Sequence, residues 1–177
     1  MKKILPWICI LFLAWYISNN WFQLMLIQGE SMAPAYKHMQ LVVLNKYDKE
    51  FHRGDVVAFW CQELSCVLVK RIVAVPGDKV VIQNGTLYVN DCVSEIYSEQ
   101  GIFTYAGWLE EPCTLQAKEY LMLGDNIELS KDSRYSEVGI VTESQIYGKI
   151  VSQIKDELNQ KVSKTPDEVI LVIGWGE

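Results

Sequence analysis

The sequence predicts a mostly antiparallel β domain that follows a single N-terminal helix. Three observations lead to this prediction: a long apolar run near the amino terminus, short apolar runs separated by turn residues along the rest of the chain, and no helix–strand alternation of the kind that builds a parallel sheet. The chain has 177 residues, of which 50% are hydrophobic. This length and composition suit one domain of ordinary size with an appendage.

The amino-terminal run is predicted to be a retained membrane anchor. Lys2 and Lys3 precede 14 uncharged residues, ILPWICILFLAWYI. A spanning helix needs about 20 residues, which residues 4–22 supply if the SNN stretch lies at the far interface. A cleaved secretory signal is the alternative, but no small-x-small cleavage site follows the run. Residues 1–27 are therefore assigned to a cytoplasmic N-terminus and a single-pass anchor in the cell membrane, and residues 28–177 to an extracytoplasmic domain.

The charge distribution argues against a nucleic-acid partner. The net charge is −6, and residues 1–27 contribute +2 through their two lysines, which leaves −8 for residues 28–177. A domain that binds nucleic acid needs clustered Lys and Arg to contact phosphates. An acidic domain without a basic stripe does not meet that requirement.

Four cysteines follow the anchor, in a compartment where disulfides persist. Four cysteines permit three pairings. The short loop between Cys61 and Cys66 favours a bond between these two, which leaves Cys92 for Cys113. Free buried thiols remain a nearly equal alternative. A metal site is not expected, because the sequence has no C-x-x-C motif and its two histidines are not at ligand spacing.

Short apolar runs bounded by turn residues predict the strands. The expected strands are LVVLNKY (41–47), DVVAFW (55–60), CVLVKRI (66–72), a hairpin KVVIQNGTLYVND (79–91) that turns at Asn84-Gly85, EYLMLGDN (119–126), QIYGKIVSQI (145–154, strand or helix) and VILVI (169–173). Residues 93–118 are expected to be an irregular insertion with weak strands.

One charge lies in the middle of an apolar strand. Five of the seven residues from Cys66 to Ile72 are apolar, and Lys70 shares its strand face with Leu68 and Ile72. A lysine stem often packs on apolar neighbours while its head reaches solvent, and the strand pattern alone favours that interpretation. Full burial would instead lower the pKa of the amine, so that it could accept a proton from a hydroxyl group.

Four motifs in a fixed order decide between these interpretations. GESMAPAY (29–36) follows the anchor and places Ser31 where a turn can expose its hydroxyl and its N–H group. RGDVVAF (53–59), KRIVAVPGD (70–78) and GDNIELSKDSR (124–134) follow. Together these motifs resemble the type I signal peptidases, membrane-bound Ser–Lys proteases that remove signal peptides from exported proteins. The matching blocks keep the family order from the anchor to about Lys149.

The resemblance implies a role for each matching residue. Ser31 is expected to be the nucleophile, and Lys70 the general base that later donates a proton to the leaving amine. Ser130 resembles the family serine that orients this lysine. Asp132 and Arg134 resemble the supporting ion pair near the site.

Further expectations follow from the same resemblance. Met32 is expected to line the substrate pocket, and Pro34 to fix the turn. The expected fold is an antiparallel sheet or partly open barrel of signal-peptidase type, in a small form with a single anchor. The expected partners are membrane-inserted preprotein signal peptides and the lipid bilayer, and a monomer without cofactor or metal is expected.

The sequence departs from the most familiar family pattern at two points. Gly29 stands where some members have a serine whose hydroxyl helps to bind the oxyanion, so the oxyanion is expected to rely chiefly on the N–H group of Ser31. The last motif continues as RYSEVG, two residues longer before Gly139 than the usual R-Y-x-G. The local strand register there stays open.

Three alternatives to a general signal peptidase are weighed. A maturation peptidase for pilus or conjugation proteins would use the same chemistry, and the sequence does not separate it. An inactive, membrane-anchored peptide-binding module is disfavoured because Ser31, Lys70 and Ser130 are all present. A self-cleaving repressor would need a DNA-binding segment where this chain has an apolar run.

Overall fold

Eleven strands in two antiparallel sheets form most of the regular structure in the computed structural model, which describes residues 7, 9, 10, 12, 21–97 and 101–153. The strands are β1 (Phe22–Leu26), β2 (Leu41–Asn45), β3 (Val56–Cys61), β4 (Cys66–Ala74), β5 (Lys79–Gln83), β6 (Thr86–Val89), β7 (Cys92–Val93), β8 (Cys113–Thr114), β9 (Glu119–Leu123), β10 (Val141–Thr142) and β11 (Ile146–Gln153). Two short 3-10 helices span Gly107–Glu110 and Glu143–Gln145. The mainly β, antiparallel prediction is therefore confirmed.

The larger sheet has the strand order β1-β2-β11-β3-β4-β9-β10. In β3, Val57 and Phe59 enter one buried cluster while Val56 and Ala58 enter another. Since alternate side chains of a strand point to opposite faces, the centre of this sheet is covered on both faces. β4, the strand that carries Lys70, lies in this covered region between β3 and β9.

The smaller sheet has the order β7-β6-β5-β8 and packs against the larger one. The hairpin between β5 and β6 turns at Asn84 and Gly85, whose φ angles are 51° and 74°. Two consecutive positive φ values are the mark of the type I′ turn that the Asn-Gly pair predicts, so this prediction is confirmed. A third cluster joins the sheets, because it combines side chains of β5 and β6 with Leu121 and Leu123 of β9.

The other local predictions have mixed outcomes. The segment 145–154, left open between strand and helix, contains strand β11. Within the described part of the predicted insertion 93–118 lie the end of β7, one 3-10 helix and β8. Residues 169–173 lie outside the described residues.

The predicted anchor also lies mostly outside them. Among the residues that are described, no helix is both long enough and apolar enough to cross a bilayer. β1 occupies Phe22–Leu26, so the first strand of the larger sheet begins within the range 1–27 assigned to the anchor.

The favoured disulfide pairings are wrong, because all the cysteines are free thiols in the structure. Cys61 and Cys66 are direct register partners on β3 and β4, and Cys61 Sγ donates a hydrogen bond of 3.3 Å to the carbonyl oxygen of Glu137. Cys92 and Cys113 lie on β7 and β8, the two edge strands of the four-stranded smaller sheet. Strands are about 4.8 Å apart, so two intervening strands hold these cysteines well beyond the Cα–Cα reach of a disulfide.

Candidate active site

Ser31 lies on the loop that joins β1 to β2. The amide of Ile27 donates to the carbonyl oxygen of Gln40 (3.0 Å), and the amide of Met39 donates to that of Ile27 (2.7 Å), which closes the base of the loop. The amide of Asn126 donates to the carbonyl oxygen of Ser31 (3.0 Å). The loop is thereby fixed at its base and at the serine itself.

The residues around Ser31 shape this loop in different ways. Gly29 has a φ of +93°, which favours glycine, and its amide donates a 2.9 Å hydrogen bond to Nδ1 of His38. Met32 is completely buried in the core cluster beneath the loop, so it shapes the site from inside and exposes no surface to a substrate in the structure. Pro34 is exposed and follows a cis peptide bond.

Lys70 meets Ser31 at hydrogen-bond distance. Its Nζ lies 2.7 Å from Oγ of Ser31, although the two residues are 39 positions apart in the chain. Lys70 is 2% exposed and pairs in register with Val57 of β3. The strand pattern alone favoured a lysine whose head reaches solvent; the structure instead buries the head group, which meets Ser31 on its loop.

Burial lowers the pKa of Lys70 from 10.5 to about 8. The negative charge of Asp132 opposes this shift, while the positive charge of Arg134 supports it. Burial has the largest effect on the pKa because no carboxylate pairs directly with the amine. Within residues 21–97 and 101–153, Lys70 forms no salt bridge. About a tenth of the amine is therefore uncharged at pH 7 and about half at pH 8, far more than for a lysine with an ordinary pKa.

Ser130 lies beside Ser31 across Gly124. A Cβ atom at Gly124 would collide with Oγ of Ser130 and would come within 2.5 Å of the carbonyl oxygen of Ser31. Ser130 Oγ is buried, and it has no hydrogen-bond partner in the part of the chain that the structure describes. An orphaned buried hydroxyl is uncommon and costs free energy. The expected hydrogen bond from Ser130 to Lys70 is thus not formed here.

Asp132 and Arg134 form a buried ion pair under the site. Arg134 Nε donates to Asp132 Oδ1 at 2.8 Å, and the two side chains are 2% and 0% exposed. The guanidinium group also donates to the carbonyl oxygens of Ile127 (2.9 Å) and Ser130 (3.1 Å), and Asp132 accepts from the amide of Gly124 (3.1 Å). The pair therefore ties the segment 124–134 into one rigid unit.

A second ion pair was missed by the sequence analysis. Asp125 follows a glycine, a position typical of a turn cap, yet both its carboxylate oxygens accept hydrogen bonds from Arg71, at 2.7 and 2.6 Å. Arg71 also donates to the carbonyl oxygen of Gly54 (2.7 Å). The signal was present in the sequence, because Arg71 is a second charge in an apolar strand directly after Lys70. The pair connects β4 to the segment 124–134.

Two other aspartates that follow a glycine do cap turns. Asp55 accepts from the amide of His52 (2.9 Å) and Asp78 from the amide of Val75 (2.8 Å). The longer RYSEVG segment forms a turn in which the amide of Gly139 donates to the carbonyl oxygen of Tyr135 (2.8 Å). Across the described ranges, no three His, Cys, Asp or Glu side chains lie together as metal ligands would.

Comparisons with known proteins identify consistent relatives. Residues 1–154 match the family model described as signal peptidase, peptidase S26. Signal peptidase I U of Bacillus subtilis (strain 168) is 34% identical over 135 residues, covering 70% of this chain and 70% of that protein. Signal peptidase I S of the same strain is 33% identical, with coverages of 83% and 86%.

A staphylococcal relative spans nearly the whole chain. Signal peptidase IB of Staphylococcus aureus (strain COL) is 31% identical, covering 92% of this chain and 98% of that protein. A crystal structure of a signal peptidase I from Enterococcus faecalis V583 aligns with 58% of this chain and 97% of that chain, with a TM-score of 0.47 and 24% identity.

Proposed function

The chain belongs to the signal peptidase family, peptidase S26, and on this premise we propose that Ser31 and Lys70 form the Ser–Lys dyad of an endopeptidase that cleaves N-terminal signal peptides from exported preproteins. The observation that carries the proposal is the 2.7 Å contact between Lys70 Nζ and Ser31 Oγ, made by a lysine that is 2% exposed. A base and a nucleophile at this distance meet the geometric requirement for proton transfer.

The chemistry follows from the state of the amine. Uncharged Lys70 accepts the hydroxyl proton of Ser31 while Oγ attacks the scissile carbonyl carbon. When the tetrahedral intermediate collapses, the C–N bond breaks, the ammonium of Lys70 protonates the leaving amine, and an ester to Ser31 remains. Lys70 then takes a proton from water, which attacks the ester and releases the signal peptide as a carboxylate. The serine recovers its proton from Lys70.

The oxyanion is bound by the backbone of the loop. The amide of Gly29 is engaged by His38, so it is not aimed at the reacting carbonyl. In the described residues no hydrogen bond involves the amide of Ser31. A free N–H group beside the nucleophile is the donor that an oxyanion needs, and burial strengthens its effect. The buried hydroxyl of Ser130 has no partner among the described residues, and in this proposal it turns to Lys70 Nζ during the reaction and orients the uncharged amine.

The substrate binds as an extended strand at an open edge of β4. β9 pairs with β4 only from Arg71 onward, so residues 66–70 are paired with β3 on one side only. An unpaired edge that leads directly to Lys70 is suited to β-augmentation by a peptide. The peptide backbone would then bring a scissile bond that follows a small-x-small sequence to Ser31. The half-exposed side chains of Val67 and Val69 provide apolar surface next to this edge.

The proposed location is the cell membrane, with a cytoplasmic N-terminus, an anchor within the range 1–27 that ends before β1 begins at Phe22, and the catalytic domain outside. The apolar run after Lys2 and Lys3 supports this arrangement. An anchored monomer would meet membrane-inserted preproteins in the plane of the bilayer. A narrower range of clients, such as pilus or conjugation proteins, would use the same dyad.

The direct test uses the full-length chain in detergent with a preprotein that carries a small-x-small site. We expect one cleavage, located by sequencing the new amino terminus directly after that site. Ser31→Ala should abolish it, and Ser136→Ala, which removes an exposed serine hydroxyl, should not. Binding of the preprotein without hydrolysis by the wild-type chain would refute the proposal and favour a peptide-binding module.

A further inference from the structure

His38 makes a hydrogen bond two residues away from the nucleophile. Its Nδ1 lies 2.9 Å from the amide nitrogen of Gly29, nine positions earlier in the chain. In a neutral imidazole with its proton on Nε2, Nδ1 is an acceptor. The contact therefore joins two arms of the Ser31 loop, the segment that leads from β1 to Ser31 and the segment that returns to β2. It lies between the closed base of the loop and its tip.

The backbone is shaped to make this contact. Gly29 has a φ of +93°, and Met39, directly after His38, has a φ of 61°. A non-glycine residue with positive φ is uncommon and costs free energy, so it persists where the surroundings require it. The amide of Met39 donates to the carbonyl oxygen of Ile27. The left-handed turn at Met39 thus brings one arm back onto the other, with His38 facing Gly29.

The next restraints along the loop lie at the serine itself. The amide of Ala33 donates to the carbonyl oxygen of Glu30 (3.1 Å), and Asn126 holds the carbonyl oxygen of Ser31. Between the base of the loop and these contacts, the segment Gln28–Glu30 is exposed. In this segment the His38 contact is the restraint that fixes the backbone direction of Gly29.

We propose that His38 is a positioning residue for the reaction: by accepting the amide of Gly29 it sets the direction in which the chain enters Ser31, and so the placement of the Ser31 hydroxyl and N–H group. The proposal rests on the proposed peptidase function. It does not make His38 a catalytic residue, since its ring touches neither Ser31 nor Lys70 in the hydrogen bonds described.

The test compares two substitutions in the full-length chain. His38→Ala removes the acceptor, whereas His38→Asn keeps one, because the Asn Oδ1 occupies the same place in the side chain as Nδ1. We expect His38→Ala to lower kcat by about three- to tenfold, the effect of one neutral hydrogen bond, with KM unchanged. His38→Asn should restore most of kcat.

Two controls separate positioning from folding. His52→Ala removes the other histidine, whose side chain is 73% exposed, and should leave kcat and KM unchanged. The melting temperature of His38→Ala should fall by no more than about 2–4 °C below that of His38→Asn, the change expected from one lost hydrogen bond in a domain that remains folded. An unchanged kcat in His38→Ala, or a loss that His38→Asn does not restore, would overturn the proposal.

Hydrogen exchange at the amide of Gly29, read by fragmentation mass spectrometry, tests the contact independently of activity. We expect faster exchange in His38→Ala than in the wild type and in His38→Asn. Equal exchange in all three would overturn the proposal. A wild-type chain that cleaves no preprotein would refute the peptidase function, while the exchange rates would still decide whether the His38 contact exists.

Discussion

Two lysines lie on either side of the same residue of the larger sheet and have opposite environments. Lys70 on β4 and Lys149 on β11 are both register partners of Val57 on β3. Burial lowers the pKa of Lys70 to about 8. Partial burial also works against the charge of Lys149, but hydrogen bonds with Asp55 and Asp48 outweigh it and raise the pKa of this lysine.

The difference in pKa arises because the carboxylates near the two lysines have different partners. Lys149 Nζ lies 3.0 Å from Asp55 and 3.1 Å from Asp48, and among the described residues no arginine pairs with either carboxylate. Near Lys70, Asp132 is bound by Arg134. Asp125 is bound by Arg71 in the same way.

The comparison shows that deep burial and the lack of a pairing carboxylate act together on Lys70. Lys149 is only partly buried and has two carboxylates within salt-bridge distance, so its pKa is not shifted downward. In this protein two arginines occupy the carboxylates nearest to Lys70, which leaves the serine hydroxyl as its hydrogen-bond partner. The predictions below test this difference, beginning with the largest expected effect.

The largest effect is expected on activity. Lys70→Met should lower kcat by about 10²–10⁴-fold, the contribution typical of a general base, with the fold retained. Lys149→Met, the matched substitution on the other side of Val57, should keep kcat near the wild-type value. Initial rates of preprotein cleavage measure both. Equal losses in the two variants would show that the site does not distinguish the lysines.

Arg134→Met should make the surroundings of Lys70 more like those of Lys149, because the Asp132 carboxylate near the amine would lose its arginine partner. Breaking a buried ion pair by removing one partner costs about 3–5 kcal/mol of unfolding free energy, which urea denaturation measures. The pKa of Lys70 should rise and kcat at neutral pH should fall. The double variant Asp132→Asn with Arg134→Met should recover part of the lost unfolding free energy and part of the lost kcat. No recovery would argue against the role assigned to Asp132.

The pH dependence of stability should report the burial of Lys70. Its pKa is about 8 in the folded chain and 10.5 when unperturbed, so the unfolded chain binds more protons between these pH values. Stability contributed by this group therefore rises with pH across the window, by about 3 kcal/mol. Urea unfolding of the wild type and of Lys70→Met from pH 8 to pH 10.5 measures it as the difference between the two. A difference that stays constant would contradict the shift.

A smaller effect is expected at the hydrogen bond between Tyr97, in the turn after β7, and the site. Tyr97 is buried, and its hydroxyl donates a 3.1 Å hydrogen bond to the carbonyl oxygen of Gly124, the glycine packed against Ser31 and Ser130. Tyr97→Phe should lower the unfolding free energy by about 1 kcal/mol and reduce kcat modestly. Tyr47→Phe, at a tyrosine that is 69% exposed, is the control and should change neither.

The local parts of the fold could be predicted from the sequence. The β5–β6 hairpin depends on one turn, and Asn84-Gly85 identifies it. The sequence identified Lys70 as an unusual charge in an apolar strand, but the strand pattern favoured an exposed head group. Only the resemblance to a family connected it to Ser31, because no local pattern joins residues 39 positions apart.

Contacts between distant segments could not be predicted from local pattern. Asp125 follows a glycine, as a turn cap does, and its true partner Arg71 lies 54 positions away. The spacing of Cys92 and Cys113 says nothing about the strands β5 and β6 that separate them. His38 is exposed, and no local pattern distinguishes it from an ordinary surface residue, because its hydrogen bond to Gly29 depends on the fold of the whole loop.

The most direct test is an NMR titration of the lysine Cε carbons in the full-length chain, with Lys70→Arg to assign the resonance of Lys70. We expect one resonance to titrate near pH 8 and to be missing from the Lys70→Arg spectrum, while Lys149 remains charged well above that pH. A Lys70 resonance that stays protonated up to the ordinary range of lysine would contradict the account, because the amine next to Ser31 would then not be a base at neutral pH.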